Sequence, residues 1–556
     1  MSLLMKPSPN DNPIKTIIRD RRDLYILGAI WLVYLLGNTI WVVLDKFPPT
    51  WDSAHHLTMT LVWLDFIKSP SLSGLKAAYA ASSYPPLPYL LVTPFYMLFG
   101  KSEDVAILGS SSVWLGLLLL ATYGLGKRIY NRRAGLLAAA IVSLYPIIIA
   151  LERDFWLDLQ LITIVTITLW ALLRIVNFDR WGRAIFLGLS LGIGTWIKWP
   201  FSFFIIAPFL FVVFQVWKNV GWTKTRLTNL FITLILSGIL ALLQYLFNFL
   251  FLSGDIYNLS NILQLVTGFA AAANHPPWYT LQGMVYYLTA LVNHQASFLF
   301  ALLFLCSLPA FLQRDVRGRS VLILTLLVPY ILATLLPVKE QRITVPYLSS
   351  VAVISAVGLS KIRIKNLQTL GITVILFIGV FQWWVTSWGL SILPDHVYIA
   401  NSWVHFAIFD QKPVSSPRDY SLQPEDWKLE EVMDVITLDA ERHAIPMPTL
   451  VPIIANTAAY NPNTFNYYSR LYNMNIQFSY VWSWSGEPIS LETYPYSYLV
   501  WKNGQNIEIE GWDKQDIERA ETFLFDHSKA FSLIYKSPLP DGSEVQIFRR
   551  SEILDD

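Results

Sequence analysis

Long apolar stretches recur up to about residue 390, and short polar or basic segments separate them. A helix needs roughly 20 apolar residues to cross a bilayer, so each stretch predicts a membrane-spanning helix. The pattern predicts about eleven spans, at 23–45, 104–126, 133–151, 155–176, 182–200, 201–217, 227–251, 291–313, 320–337, 342–360 and 366–391.

Basic residues fall in alternate connections between these spans. Loops rich in lysine and arginine stay in the cytoplasm, so the N-terminus is predicted to be cytoplasmic. The opposite side then holds two long loops, 46–103 and 252–290, and everything after about residue 392. The basic groups are Lys15/Arg19/Arg21/Arg22, Lys127/Arg128/Arg132/Arg133, Arg174/Arg180/Arg183, Lys218/Lys224/Arg226, Arg314/Arg317/Arg319 and Lys361/Arg363/Lys365.

This topology requires the segment 86–100 to stay at the outer membrane surface. The segment is short for a span and contains Pro88 and Pro94, so we expect juxtamembrane helices there. If the segment crossed instead, the basic loop at 127–133 would face outside.

Composition supports a membrane protein. The 556 residues are 54% hydrophobic and 14% charged, with a mean hydropathy of +0.44, which is too apolar for a soluble globule. The net charge of +2 gives no indication of nucleic-acid binding. A single cysteine, Cys306, excludes an intramolecular disulfide framework and a cysteine-based metal site. No small-residue cleavage site follows the first span, so we expect that span to remain as an uncleaved anchor.

The composition changes at Pro394 to a tail rich in Asp, Glu, Asn and Pro without further spans. The segments 449–456, 497–503 and 544–550 are typical of strands, and 424–436 and 513–528 of helices. We therefore predict a polytopic α-helical membrane domain over 1–392 and an extracytoplasmic α/β domain over 393–556.

Isolated ionisable residues near the predicted outer ends of the spans are candidates for function. Charges at membrane depth are costly and usually have a role. These residues come from separate loops but share the predicted outer face; they are Asp52, Glu152, Arg153, Asp154, Asp158, Lys198, Lys339, Glu340 and Arg342.

Asp52 lies just beyond the first span and could serve as a general base toward an acceptor hydroxyl. The alternative is a helix N-cap for a segment starting at Ser53. The neighbouring His55 and His56 point about 100° apart on a helix, so they cannot easily share one metal ion.

Three further segments carry candidate charges. Asp154 and Asp158 are spaced to share a helical face, either as functional carboxylates or as an interface ion-pair cluster. Lys198 could contact a phosphate at the interface or extend to the headgroups. Arg342 offers a planar donor fork that matches phosphate oxygens, and Glu340 could orient it.

A carboxylate with two cations at the outer face suits a sugar carried on a lipid phosphate. The cations would stabilise the charge that develops on the leaving phosphate, and Asp52 would deprotonate the acceptor. No glycine-rich nucleotide loop is evident, so a lipid-linked donor is favoured over a nucleotide sugar.

Several motifs resemble, in order, those of the GT-C glycosyltransferases of the protein mannosyltransferase and aminoarabinose transferase (ArnT-like) superfamily. The resembling segments are WDSAHHL, YPPLPYLLVTPFYMLFG, RDFWLD, GTWIKWP, HPPWYTLQGMVYYL and EQRITVPYLSSVAVISAVGL, within about residues 25–360. The resemblance implies an inverting glycosyltransferase of the bacterial inner (plasma) membrane that uses a polyprenyl-phosphate sugar and transfers it to a lipid, glycan or protein acceptor.

The resemblance also implies roles for individual residues. Asp52 and Asp158 take the catalytic positions, and Lys198, Arg342 and Arg153 those around the donor phosphate. Possible acceptor or supporting residues are His55, Asp154, Lys339, Glu340, His275 and Tyr279. Ser53 stands where the family often has an acid, and Trp199 where glycine is usual, which leaves sugar and acceptor open. The missing acid fits the branch that needs no catalytic metal or other cofactor, although a structural divalent ion is not excluded.

Two other function classes remain open from the residues alone. A transporter or flippase for a lipid-linked saccharide would show internal repeats and ionisable residues at the bilayer midplane. A membrane-anchored binding or assembly protein would use the tail as its module. The absence of an evident repeat and the gathering of charges at one face favour the transferase.

Overall fold

The computed structural model describes residues 13–82, 84–175, 177–251, 266–271, 273–400, 405–410, 422–481, 491, 496–508 and 510–551. Residues 252–265 of the second predicted outer loop lie outside this part of the chain, as do several stretches of the tail. The described N-terminal region is helical, and the described tail contains a mixed β-sheet.

The described residues before the tail are mostly helical. The helices are α1 (Pro13–Leu44), α2 (Trp51–Lys68), α3 (Leu72–Ala80), α4 (Leu87–Leu90), α5 (Thr93–Phe99), α6 (Glu103–Ile129), α7 (Arg132–Ser143), α8 (Pro146–Glu152), α9 (Asp158–Ile175), α10 (Trp181–Thr195), α11 (Phe201–Asn219), α12 (Lys224–Phe251), α13 (Leu281–Ala290), α14 (Phe298–Phe311), α15 (Arg319–Leu335), α16 (Leu348–Ser360) and α17 (Lys365–Trp388). A 3-10 turn at Gln341–Tyr347 leads directly into α16.

Seven helical segments of the described chain are long and apolar enough to cross a bilayer. They are Arg21–Leu44, Glu103–Ile129, Asp158–Ile175, Phe201–Asn219, Lys224–Leu250, Gln341–Ser360 and Lys365–Trp388. The pair α7 and α8 is long and apolar enough only when taken together, and it is bent by 66°. Pro146 begins the second helix and lacks the N–H that would continue the first.

The remaining three of the eleven predicted spans correspond to shorter helices. The stretch predicted at 182–200 is helical only over Trp181–Thr195, and that at 320–337 over Arg319–Leu335. The stretch predicted at 291–313 is divided at Ser297, where a φ of 74° interrupts the helix. The length of an apolar stretch predicts a span, but it does not reveal where the helix within that stretch is interrupted.

The segment predicted to stay at the membrane surface forms the short helices α4 and α5. The apolar stretch Leu87–Phe99 spans 13 residues, or about 20 Å at 1.5 Å per residue, which is too short to cross the hydrocarbon layer. Both helices pack against α2, and α5 also packs against α6. This geometry agrees with a juxtamembrane position.

The basic loops gather at one end of the bundle, which we call the basic end. Arg128 donates to the carbonyl of Leu173 at 3.0 Å, and the Arg317 amide donates to the carbonyl of Ile129 at 3.1 Å. The candidate site residues lie at the other ends of the same helices, because Asp158 begins α9 whereas Arg174 lies in its last turn. The two spans that begin at Asp158 and Gln341 are the most enclosed of the seven.

The tail contains a five-stranded sheet with the order β4-β3-β5-β7-β6. Its strands are β3 (Thr449–Ile454), β4 (Ile476–Tyr480), β5 (Tyr498–Asn503), β6 (Phe531–Pro538) and β7 (Glu544–Arg550). They follow an antiparallel pair of strands, β1 (His396–Ala400) and β2 (His405–Asp410). The pairs β3–β4 and β3–β5 are parallel, and β5–β7 and β6–β7 are antiparallel. The helices α18 (Leu429–His443), α19 (Pro462–Leu471) and α20 (Glu510–Asp526) complete the domain.

The tail domain packs directly on the first outer loop. Phe47 belongs to the hydrophobic core of the domain and meets the Trp427 ring edge-on at 5.5 Å between centroids. The Thr464 hydroxyl donates to the carbonyl of Pro49 at 2.8 Å. The sheet domain therefore lies at the site end of the bundle, immediately beside the start of α2.

Candidate active site

A buried ion pair anchors the candidate site. Lys198 Nζ lies 2.8 and 2.9 Å from the two carboxylate oxygens of Asp158. Asp158 is the first residue of α9, where the positive end of the helix dipole favours a carboxylate. The Asp158 side chain is only 3% exposed. The pair therefore holds the N-terminus of α9 against the turn that precedes α11.

Arg342 joins this pair to two carboxylates on other segments. Its guanidinium lies 2.7 Å from Glu340, 3.3 Å from Asp52 and 3.7 Å from Asp158. Three acidic and two basic side chains therefore meet, and the cluster carries a formal charge of −1 when all are ionised.

Asp52 is the exposed carboxylate of the cluster. It lies in the first turn of α2, whose N-cap is Thr50, so the alternative assignment of Asp52 as the N-cap is wrong. Its side chain is 49% exposed, whereas that of Asp158 is 3% exposed. Asp52 is therefore accessible to an incoming hydroxyl, and Asp158 is placed to hold the two cations.

The indole ring of Trp156 packs against the guanidinium of Arg342. The guanidinium carbon of Arg342 lies 3.6 Å from the centroid of the indole ring. The indole N–H donates to Asp154 at 2.6 Å, and the Ser53 hydroxyl donates to the other oxygen of Asp154. This chain of contacts connects the residue next to Asp52 with the cation beside it.

Asp154 does not share a helical face with Asp158, so the prediction made from their spacing is wrong. The helix α8 ends at Glu152 and α9 begins at Asp158, and the residues between them form a bend. In this bend the Asp154 carboxylate also accepts the Phe155 amide at 2.7 Å. Asp154 therefore stabilises the turn and the start of α2.

Arg153 points away from the cluster. Its guanidinium donates to Asn38 of α1 at 3.0 Å and to the Ser387 hydroxyl of α17 at 2.7 Å, and it lies 4.7 Å from the Trp41 ring centroid. Glu152 accepts from the same Asn38 side chain at 2.5 Å. These contacts fix α8 between α1 and α17, and they do not support the predicted contact of Arg153 with a donor phosphate.

Lys339, His275 and Tyr279 are likewise not part of the Arg342 cluster. The buried Lys339 ammonium donates to the carbonyls of Thr334 and Leu336, which end α15. Its amide donates to His275 Nδ1 at 3.2 Å. Tyr279 is 68% exposed and meets the ring of Trp278. Lys339 therefore caps a helix C-terminus, as a cation does favourably.

Two histidines of α2 lie close to each other, and two tyrosines of the following segment pack against one of them. His56 Nδ1 lies 2.9 Å from the Tyr89 hydroxyl, and the Tyr84 ring meets the imidazole edge-on at 4.9 Å. Burial lowers the pKa of His56 well below its usual value, so this ring is neutral near pH 7. Burial also raises the pKa of Tyr84, and the charge of Asp52 raises it further. The predicted supporting residue His55 lies beside His56, with ring centroids 5.7 Å apart.

The family model for dolichyl-phosphate-mannose-protein mannosyltransferase matches residues 83–245. ArnT from Cupriavidus metallidurans bound to undecaprenyl phosphate has a similar structure, with a TM-score of 0.57 and 12% identity over 94% of this chain and 97% of ArnT. The chain has a GT-C fold.

The likeness extends to a second GT-C structure. The oligosaccharyltransferase AglB from Archaeoglobus fulgidus, in complex with an inhibitory peptide and a dolichol-phosphate, matches with a TM-score of 0.53 and 11% identity, over 94% of this chain and 74% of AglB. No curated protein sequence matches the chain. The predicted resemblance to the GT-C glycosyltransferases and the predicted fold class are confirmed, and the chain is a multi-pass membrane protein.

Sequence reasoning missed two residues of this candidate site. Trp156 and Tyr84 carry no net charge, so a search for isolated charges passes over them. Trp156 stands between the two acids of the RDFWLD segment, and Tyr84 directly precedes Pro85-Pro86. The signal for Trp156 was its position between two acids that were already candidates, and the signal for Tyr84 was its position at the start of the proline-rich motif.

No group of three or more His, Cys, Asp or Glu side chains in the described part of this GT-C chain could hold a metal ion. At the position where the family often has an acid, Ser53 donates a hydrogen bond to Asp154 instead. That no metal is needed stays a prediction.

Proposed function

We propose that this chain transfers a single sugar from a polyprenyl-phosphate donor to an extracytoplasmic acceptor, with inversion at the anomeric carbon. The observation that carries the proposal is the contact of Arg342 with both Asp52 and the buried Asp158–Lys198 pair. It places an accessible carboxylate next to two cations at the same end of the bundle.

The reaction balances with these residues alone. The acceptor oxygen forms a bond to the anomeric carbon, and its proton passes to Asp52 as general base. The bond between that carbon and the phosphate oxygen breaks, and its electron pair stays on the phosphate. Lys198 and Arg342 stabilise the charge that develops there.

Asp158 acts in this scheme as the positioning residue for both cations. A buried carboxylate with two hydrogen bonds from Lys198 has no exposed oxygen for an acceptor. Glu340 is released from Arg342 when the donor phosphate binds, because both anions compete for the same guanidinium.

The comparisons support a lipid phosphate as the leaving group. ArnT was solved with undecaprenyl phosphate and AglB with a dolichol-phosphate. The lipid tail would lie between helices at the site end, and the sheet domain covers the start of α2 from outside. An extracytoplasmic tail domain follows from the predicted basic loops. A location in the inner membrane follows from the resemblance to the ArnT-like transferases.

The proposal is tested with purified full-length protein, undecaprenyl-phosphate mannose and total membrane lipid as acceptor source, by following release of undecaprenyl phosphate. We expect release with the native chain and roughly a 10²–10³-fold lower rate with Lys198→Met. Lys218→Met, an exposed lysine in the last turn of α11, is the matched control. Movement of the intact donor across vesicles without release would support a flippase and contradict the proposal.

A further inference from the structure

A buried glutamine lies next to the turn that carries Arg342. The side chain of Gln295 is completely buried. Its amide nitrogen donates to the carbonyl of Gln341 at 2.6 Å and to the Thr344 hydroxyl at 2.8 Å. These two acceptors lie immediately before Arg342 and two residues after it, so Gln295 holds the turn on both sides of the arginine.

The orientation of this amide is set by its partners. A backbone carbonyl only accepts hydrogen bonds, so the NH2 group of Gln295, and not its oxygen, faces Gln341. Among the described residues, the side-chain oxygen of Gln295 is buried without a hydrogen-bond partner. A buried acceptor in that state costs stability. The two bonds to the Arg342 turn therefore explain a glutamine at this position better than the stability of the fold does.

Gln295 reaches the turn because it is the last residue of a π-helical turn. The π turn spans Leu291–Gln295 between α13 and α14, and the Ala296 amide donates to the carbonyl of Leu291 at 2.9 Å. A π turn contains one residue more than an α-helical turn, so it rotates a side chain away from the direction that a continuous α-helix would give it. Such turns occur frequently at functional sites.

The turn that carries Arg342 depends on support of this kind. The segment Gln341–Tyr347 is a 3-10 turn, whose hydrogen-bond geometry is poorer than that of an α-helix, and Pro346 within it has no N–H to donate. Because Arg342 is the second residue of this turn, its guanidinium moves with the turn. A misplacement of roughly 1 Å at a reacting group can lower a rate about a hundredfold.

The π turn is itself held from its other side. The side-chain oxygen of Asn293 accepts the amide of Ala407 in β2 at 3.0 Å. The Ser297 hydroxyl, just after the π turn, donates to Gln382 of α17 at 2.9 Å. A side chain positions another one accurately only when its own support is rigid. Gln295 therefore connects the Arg342 turn with both the tail and α17.

We propose that Gln295 is a positioning residue for Arg342 and thereby sets the affinity of the site for the phosphate of the donor lipid. The inference rests on the proposed function, because it takes Arg342 as a cation that meets this phosphate. Gln295 does not touch the donor. It acts through the backbone of the Arg342 turn, so its removal has an effect only while Arg342 is present.

The test is a double-mutant cycle on the binding of undecaprenyl phosphate to the full-length protein, followed by native mass spectrometry in neutral detergent. Gln295→Met keeps the length of the side chain and removes both donors, and should weaken binding roughly tenfold, less than two independent hydrogen bonds would give. In a chain that already carries Arg342→Met, the same change should cost less than about twofold. Gln282→Met, at an exposed position of α13, is the matched control and should bind like the native chain.

A second variant removes one acceptor instead of the donors. Thr344→Val changes the shape little and should weaken binding about threefold, with no further loss when it is combined with Gln295→Met. If Gln295→Met does not fold, the cycle of Thr344→Val with Arg342→Met decides in the same way. Native affinity in Gln295→Met, or losses that add in full to those of Arg342→Met, would overturn the inference.

Release of undecaprenyl phosphate from the sugar donor separates this inference from the proposed function. Native release together with additive binding losses would overturn the role of Gln295 alone. The expected cycle in a chain that releases nothing would contradict the proposed transfer and support Gln295 as the residue that positions a phosphate-binding arginine. A native chain that does not bind undecaprenyl phosphate would overturn both.

Discussion

The guanidinium carbon of Arg342 lies over the indole of Trp156, 3.6 Å from the ring centroid, while the indole N–H donates a hydrogen bond to Asp154. A cation on an aromatic face retains attraction without an opposing formal charge. Arg342 is thereby oriented even when its carboxylate partners leave, which is the state that a bound phosphate requires.

This stacking gives the first prediction. Trp156→Leu removes both the aromatic face and the donor to Asp154, and should raise the donor KM about tenfold with a smaller change in kcat. Trp156→Phe keeps a ring and should fall between Trp156→Leu and the native chain. Trp181→Leu, at a 69% exposed position, serves as the control. The same KM for Trp156→Leu and the control would remove the role given to the indole.

Substitution of Glu340 should change the donor KM in the opposite direction. Glu340 and the donor phosphate compete for Arg342, and Trp156 and Asp158 still hold the guanidinium when the acid is neutralised. Glu340→Gln should therefore lower the donor KM a few-fold. Steady-state kinetics with Glu431→Gln in the tail domain as control would check this, and an increased KM would show that Glu340 mainly orients Arg342.

The charged part of the site could be predicted from the sequence, because a charge near a membrane is costly and therefore rare. Asp52, Asp158, Lys198, Glu340 and Arg342 were all selected on that ground, and the structure brings them together. Their roles in catalysis stay predictions.

The directions of individual side chains could not be predicted. Arg153 and Asp154 are neighbours, but they lie in the bend between α8 and α9 and contact different partners. The Arg153 side chain contacts α1, and the Asp154 side chain contacts Ser53. The chain has 22 tryptophans, and composition does not show which one lies under a guanidinium. Three of the eleven predicted spans are shorter helices in the structure for the same reason, since breaks such as the one at Ser297 depend on backbone geometry.

The tail domain should influence the position of the proposed general base, Asp52, through the neighbouring Trp51. The indole N–H of Trp51 donates to Asn456 of the tail at 2.6 Å, and Asn463 donates to the Trp51 carbonyl at 3.3 Å. Asn456→Ala should lower kcat about fivefold, the worth of roughly one net hydrogen bond, without changing the donor KM. Asn503→Ala, at an exposed strand position, is the control. A changed donor KM with native kcat would argue against this coupling.

Chelation should leave turnover unchanged. Ser53 uses its hydroxyl on Asp154, so the position next to Asp52 supplies a donor where a metal needs a further acceptor. Activity would be measured after extended treatment with EDTA and again after addition of Mg²⁺ or Mn²⁺. A loss of activity that the ions restore would contradict the proposed metal-free mechanism.

The most direct measurement is the single-turnover release of undecaprenyl phosphate by Asp52→Asn. The reference is Asp65→Asn, which changes another acid of α2, one that pairs with Arg470 at the surface. The account predicts that Asp52→Asn lowers the rate roughly 10²–10⁴-fold while the donor still binds, and that Asp65→Asn retains nearly native release. Native turnover in Asp52→Asn would contradict the assignment of the base.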